Sequence, residues 1–243
     1  DLVNTPTEDL GPEQMETVIA GLAATHGAEL RCFVGEQLLQ NNFPAIHAVG
    51  RASHRAPRLI ELTWGNSHHP RIAILGKGVC FDTGGLNIKA GDGMAAMKKD
   101  MGGAAIAIQL AQLIMDAGLP VQLQLLVAAV ENAIGPNAYR PGEVIATRAG
   151  LSVEIGNTDA EGRVVLCDAI TYAAESAPEL MFDFATLTGA ARIALGPDLP
   201  ALFSNREELS LDLIACGREA GDPLWSMPLW EDYYSMIDSK IAD

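Results

Sequence analysis

Asn157-Thr158-Asp159-Ala160-Glu161-Gly162-Arg163 places two carboxylates two residues apart, with a guanidinium two residues beyond the second. The stretch follows a strand-like run, Leu151 to Gly156, and precedes an almost wholly apolar helical pattern, Val164 to Ala174. Acids and an arginine beside a buried helix are costly unless their charge is compensated, and a bound metal ion would compensate it directly. The plainer reading is a capping box, with Thr158 as N-cap and Glu161 reaching back. That reading accounts for Thr158 and Glu161 but leaves Asp159 and Arg163 unexplained.

Outward from this stretch, strand-like and helix-like segments alternate. Upstream, Gly102 to Ala117 is helical with apolar residues nearly all round, which predicts burial. Val121 to Val130 has few polar residues, as in the middle of a parallel sheet, and Glu131 to Gly142 reads as a loop. Glu143 to Thr147 reads as another strand. Nearer the start, a helix over about 12–24 is followed by a strand at Glu29 to Val34, a short helix at Gly35 to Asn41, and an ambiguous Phe43 to Val49. Leu59 to Trp64 and Arg71 to Leu75 flank a turn-like Gly65-Asn66-Ser67-His68-His69-Pro70 and predict a hairpin. Downstream come strands at Glu179 to Phe184 and Leu202 to Ser204, a helix at Glu207 to Ala220, and a helical pattern from Glu231 to Ala242. Such alternation predicts an α/β fold: one three-layer domain over 1–243, with a mostly parallel mixed sheet flanked by helices. In such sheets sites form at the carboxyl ends of strands, where Asp82, Asp159 and Thr186 fall.

The 243 residues carry 16 basic against 31 acidic side chains, a formal charge of -15. That balance argues against a nucleic-acid surface, which needs basic patches. No apolar run reaches the roughly 18 residues of a membrane span. Cys32, Cys80, Cys167 and Cys216 lie far apart with no CxxC pair, and read as reduced, buried thiols of a cytoplasmic protein.

Gly76 to Gly103 is rich in glycine and charge, and so long a loop within a compact domain is usually functional or disordered. Each charged residue in it has an ordinary alternative. Asp100 suits an N-cap, Asp82 a turn, and Lys77 and Lys89 a solvated ammonium. The joint pattern is harder to dismiss. Asp82, Asp100, Asp159 and Glu161 sit at strand ends or helix starts, and carboxylates brought together repel unless protonated or neutralised by cations. Two divalent ions about 3.5–4 Å apart, sharing carboxylates, are one solution used for hydrolysis, and oxygen ligands suit Zn, Mn or Mg. The histidines point elsewhere, since adjacent His68 and His69 in a turn do not converge on one ion. The glycine-rich segments contain neither GxxxxGK[ST] nor GxGxxG at a strand–helix turn, and no GxSxG occurs.

At these residues the chain resembles the leucyl aminopeptidase family of dinuclear cytosol aminopeptidases. The signature is Asn157 to Arg163. Gly76-Lys77-Gly78, Phe81-Asp82-Thr83-Gly84-Gly85, Ile88-Lys89 and Asp100 to Ala105 are similar to the other active-site segment. Glu131-Asn132, Asn137 to Gly142 and Ala185 to Ala190 are also similar. The resemblance implies that Asp82 and Glu161 contact both of two divalent metal ions, Zn or Mn. Asp159 completes one site, and Lys77 and Asp100 complete the other. As a ligand Lys77 must be a free amine, so a depressed pKa is expected of it. Lys89 stays charged and polarises the scissile carbonyl. Arg163 anchors bicarbonate, which takes the proton of the metal-bridged water. Met97, Thr186 and Gly189 help form the pocket for the N-terminal side chain. The implied substrate is a peptide with a free N-terminus, leucine or another apolar residue first. The implied assembly is a homohexamer, with no membrane or nucleic-acid partner. Family members also carry a separate N-terminal domain and continue past the position matching Asp243. The rival reading is a non-catalytic metal-binding or assembly protein on the same fold.

Overall fold

A computed structural model describes residues 1–243, which divide into two compact units, Asp1–Thr186 with Ile241–Asp243, and Leu187–Lys240. The first is built on a five-stranded sheet of order β1-β2-β4-β3-β7, comprising β1 (Glu29–Val34), β2 (Arg58–Trp64), β3 (Arg71–Asp82), β4 (Gln122–Asn132) and β7 (Leu180–Phe184). β3 runs parallel to both β4 and β7, whereas β2 is antiparallel to β1 and β4, so β2 alone is reversed. The expected mixed α/β sheet is present.

Alternation along the strands divides the core. Leu126, Ala128 and Val130 of β4 join Ala73, Leu75 and Val79 of β3 beneath α2 (Glu36–Gln40), α3 (Pro44–Gly50) and α5 (Glu161–Glu175). Leu123, Leu125, Val127 and Ala129 face the other way, against α1 (Pro12–His26) and α4 (Gly102–Asp116). Sheet and helices therefore form three layers, with an apolar cluster on each face of the sheet.

Several expectations are corrected. β2 and β3 do not form a hairpin, because β4 lies between them and pairs with both. The segment from Gly76 is not loop at its start: β3 continues through Gly76 and Gly78 to Asp82. Those glycines serve close packing rather than flexibility, since a Cβ on Gly76 would lie 2.5 Å from Ala104 Cα of α4, and one on Gly78 2.7 Å from the Ala128 carbonyl oxygen. β4 extends to Asn132, two residues into the expected loop. α4 is not buried all round, for Ile106 and Leu113 are exposed. The strand expected before the central motif belongs to a separate antiparallel ribbon of β5 (Val144–Ala146) and β6 (Ser152–Glu154).

The second unit contains α6 (Gly189–Leu195), the parallel pair β8 (Ala201–Leu202) and β9 (Trp225–Ser226), and α7 (Glu207–Ala220). α6 was not anticipated, although Thr188 caps it by accepting from the Ala190 amide. The helix expected to Ala242 is a 3₁₀ segment over Glu231–Ile237. Its Tyr233, Tyr234, Met236 and Ile237 are exposed, so it lacks the packing that stabilises a short α-helix. Cys216 is exposed, against the expectation of four buried thiols, while Cys80 is buried and Cys32 and Cys167 are half-buried; all are free. No helix is long and apolar enough to cross a membrane.

Candidate metal centre

The carboxyl ends of β3 and β4 and the start of α5 bring the predicted acids together. Asp82 ends β3 and pairs in register with Asn132 at the end of β4. Glu161 is the first residue of α5, and Asp159 lies just before it. Ligand oxygens of Asp82, Asp159 and Glu161 all lie within 4.8 Å of one another. Asp100 joins them through Lys77, whose Nζ is 2.8 Å from Asp100 Oδ2 and 2.7 Å from Glu161 Oε1. Lys89 makes the matching bridge, with Nζ 2.8 Å from Asp82 Oδ2 and 2.6 Å from Asp159 Oδ1. Four carboxyl groups thus surround two lysine side chains.

Local sequence explains the geometry. Lys77 points from β3 toward α5, and its aliphatic chain passes under Gly162, where a side chain would collide with it. Thr158 is completely buried and does not cap α5. Its hydroxyl instead donates to the Gly84 carbonyl at 2.6 Å and accepts from Asn87 N at 2.8 Å, so the capping-box reading is wrong. Asp100 is likewise no N-cap of α4; its Oδ1 accepts from Thr186 Oγ1 at 2.7 Å. The turn reading of Asp82 holds alongside its place in the cluster, since Oδ1 accepts from Gly84 N at 2.8 Å.

Protonation follows from the same contacts. Burial lowers the Lys77 pKa, but Glu161 and Asp100 more than reverse this, so the net direction is upward. The depression expected of Lys77 is therefore not produced by the protein groups alone. Burial works downward on Lys89 too and is outweighed by Asp159 and Asp82, which raise it. Glu161 is raised, first by burial and further by Asp82 and Asp100, with Lys77 opposing.

The residues fit divalent cations. Asp100 Oδ2 and Asp159 Oδ1 are buried oxygens without a properly directed hydrogen bond, although a lysine nitrogen touches each. The contacts are charge pairing rather than aligned donation. Hard carboxylate oxygens with unspent lone pairs are what Zn²⁺ or Mn²⁺ coordinates. Arg163, in the first turn of α5, is exposed and takes part in none of the ion pairs around the cluster.

Other predicted residues divide. Thr186 is tied to the cluster through Asp100, and its carbonyl accepts from Lys77 Nζ at 3.2 Å. Met97 is half-buried in a 3₁₀ turn that leads to Asp100. Gly189 opens α6 in the second unit. His68 and His69 are exposed in their turn, apart from the acids. Sequence reasoning assigned no role to Asn87, Asn132 or Tyr139, which hold the Thr158 segment. The signal for Asn132 was a polar residue closing an apolar strand opposite Asp82. A polar cleft at the other end of the sheet, lined by Glu61, Arg71, Gln124 and Tyr172, is internally paired. Gln124 Nε2 and Tyr172 Oη donate to the two Glu61 oxygens at 2.6 and 2.9 Å, so we read it as structural.

Comparison with known proteins identifies the family of the chain. The family model described as "Cytosol aminopeptidase family, catalytic domain" matches residues 1–243. A probable cytosol aminopeptidase of Syntrophotalea carbinolica is 44% identical over 245 residues, covering 100% of this chain and 49% of the relative. The chain spans about half the length of the curated relatives it matches. The crystal structure of a cytosol aminopeptidase from Coxiella burnetii superposes with a TM-score of 0.97 at 53% identity, over 100% of this chain and 53% of that one. A leucyl aminopeptidase from Trypanosoma brucei, solved in complex with bestatin, gives 0.95 at 34% identity, over 100% and 48%.

Proposed function

The chain belongs to the cytosol aminopeptidase family, and from that premise we propose that it forms the centre of a metal-dependent exopeptidase releasing N-terminal leucine or other apolar residues from peptides. The observation that carries this reading is the cluster of four carboxylates and two lysines, with its two buried oxygens lacking directed hydrogen bonds.

Asp82, Asp159 and Glu161 would hold one part of a pair of Zn or Mn ions, and Lys77 and Asp100 the rest. When bound, such ions act as Lewis acids and bring the pKa of water into the neutral range. Lys77 Nζ, now ion-paired with Glu161 and Asp100, would have to lose a proton before it could serve as a ligand. Lys89 has the opposite task. Its carboxylate neighbours keep it protonated, so a fixed positive charge faces the carbonyl oxygen on which negative charge develops. Arg163 presents a planar guanidinium suited to two parallel hydrogen bonds to a planar bicarbonate. That anion would take the proton that no histidine or spare carboxylate here is placed to accept. Met97 and the Thr186 methyl would line the pocket for the first side chain, as the Thr186 hydroxyl is committed to Asp100. The proposed assembly, a cytoplasmic homohexamer, is carried from the family resemblance alone.

The test is hydrolysis of a leucine anilide by metal-stripped protein as Mn or Zn is titrated back, with Asp159→Asn in parallel. Metal-dependent release by the parent alone supports the reading. Normal turnover by the variant at unchanged metal content would sink the ligand assignment. Metal uptake without release from any anilide would favour a non-catalytic metal-binding protein.

A further inference from the structure

Asn132 closes β4 directly across from Asp82 and is 1% exposed. Its Nδ2 donates to Asp82 Oδ1 at 2.8 Å and to the Thr158 carbonyl at 2.9 Å. Both amide hydrogens are therefore spent, one on a carboxylate of the cluster and one on the peptide immediately before Asp159. The reverse amide orientation would set its oxygen against two acceptors, so the contacts fix which end faces the cluster. With Asn132 and Gly84 N on Oδ1, Oδ2 of Asp82 is left to face Lys89.

The cost of this arrangement is visible. Asn132 Oδ1 is buried without a hydrogen-bond partner, pressed near Gly85, where a Cβ would come within 3.0 Å of it. A buried amide with an idle carbonyl is a poor choice for stability alone. Its donors are the part in use.

We propose that Asn132 is a positioning residue of the metal centre: its side-chain amide sets Asp82 and the Thr158–Asp159 peptide in the mutual placement their shared cations require. The inference rests on the metal-centre reading above. Asn132 touches no reacting atom. It acts through a first ligand, as carboxylate partners outside a coordination shell do, where substitution typically weakens metal binding about 10–100-fold.

Tyr139 provides the comparison. Its hydroxyl donates to the same Thr158 carbonyl at 2.7 Å and is equally buried, but it makes no hydrogen bond to Asp82. The experiment is Mn²⁺ titration of the full chain, followed by electron paramagnetic resonance of free and bound ion. The parent is compared with Asn132→Ala, with Asn132→Leu, which keeps the branching and heavy-atom count, and with Tyr139→Phe, each checked for folding by circular dichroism. Both Asn132 variants are expected to bind Mn²⁺ at least about tenfold more weakly and to lose the signal of a coupled ion pair at saturation. Tyr139→Phe is expected to keep that signal and stay within about threefold of the parent, below the range of a lost ligand partner. Parent-like affinity in folded Asn132 variants would overturn the proposal. So would an equal loss in Tyr139→Phe, or failure of both Asn132 variants to fold, since either makes the role merely structural. A parent that binds no Mn²⁺ or Zn²⁺ would instead remove the metal-centre reading itself.

Discussion

Gly162 lies directly over Lys77: a Cβ built on the glycine would be 2.8 Å from Lys77 Cε and 2.9 Å from its Nζ. The glycine between Glu161 and Arg163 is thus a space requirement of the carboxyl–lysine cluster, imposed on α5 by a lysine of β3. Gly162→Ala would force Lys77 away from Glu161 and Asp100, which it contacts at 2.7 and 2.8 Å. We expect a folded protein, destabilised by about 1–3 kcal/mol through overpacking, that binds Mn²⁺ at least about tenfold more weakly. Metal titration beside a urea melt checks both. Unchanged affinity would mean that Lys77 swings aside freely and is not held as a ligand.

Substitution of Arg163 tests the proposed division between chemistry and metal binding. It is exposed and stands outside the carboxylate cluster, so Arg163→Ala is expected to leave both metals bound. Loss of the proposed anion anchor should lower kcat by about 10²–10⁴-fold, the range for one missing acid–base partner, and added bicarbonate should not restore it. Metal loss in this variant would contradict the anchor role.

How far the sequence was legible follows from the range of each cue. Strand alternation and the apolar helices reported on neighbours a few residues away, and β1, β2, β4, α1, α5 and α7 appeared close to where they were expected. The false hairpin at 59–75 arose because nothing local in Arg58–Trp64 or Arg71–Asp82 reveals that β4 inserts between them. The glycines of β3 resembled loop residues because their reason is Ala104 on one side and Ala128 on the other. In the candidate site, ligand types were visible as charges out of place beside apolar segments. The pairing of Lys77 with Asp100 and Glu161, and of Lys89 with Asp82 and Asp159, was not, since it joins residues across loops and strands. Thr158 misled for the same reason: its hydroxyl is spent on Gly84 and Asn87 rather than on its own helix.

Gly103 tests whether the start of α4 is fixed by backbone contact. A Cβ there would sit 2.1 Å from the Phe184 carbonyl oxygen of β7, and no rotamer can relieve a clash with backbone. Gly103→Ala should cost about 3 kcal/mol or more, at the upper end for overpacking. Gly93→Ala, whose Cβ would meet only Lys89 Cβ at 3.8 Å, should change stability by less than about 0.5 kcal/mol. Urea midpoints for the pair decide it, and equal effects would refute the packing account.

The thiols should differ sharply in reactivity. Burial is the main cause that pushes Cys32, Cys80 and Cys167 each up to about 12, so near pH 8 only about one in ten thousand of each is thiolate. Cys216 is exposed. Brief iodoacetamide treatment of native protein should add one label, at Cys216, and four after denaturation. Early labelling of Cys80, read by peptide mass, would show that the sheet face against α4 opens readily.

Asp168 offers a pH-dependent test away from the metal centre. From inside α5 it accepts from Ala45 N at 2.8 Å and Ile46 N at 3.2 Å through Oδ2, and from Arg148 N at 2.8 Å through Oδ1. It thereby satisfies the first amides of α3, which has no side-chain cap of its own. Burial raises its pKa despite the opposing pull of these amides and of Arg148. With the folded pKa above the unfolded one, this carboxyl adds most to stability when it is protonated in both states. That contribution is full below the ordinary carboxylate range and is lost as pH rises through the raised folded value. Asp168→Asn removes the titration and also turns an amide donor toward a backbone N–H, so it should be less stable by about 1–3 kcal/mol. The gap between parent and variant should widen as the solution is acidified from neutrality toward the ordinary carboxylate range. Urea midpoints across that window provide the measurement, and a gap that narrows in acid would show that the three amides outweigh burial at this carboxyl.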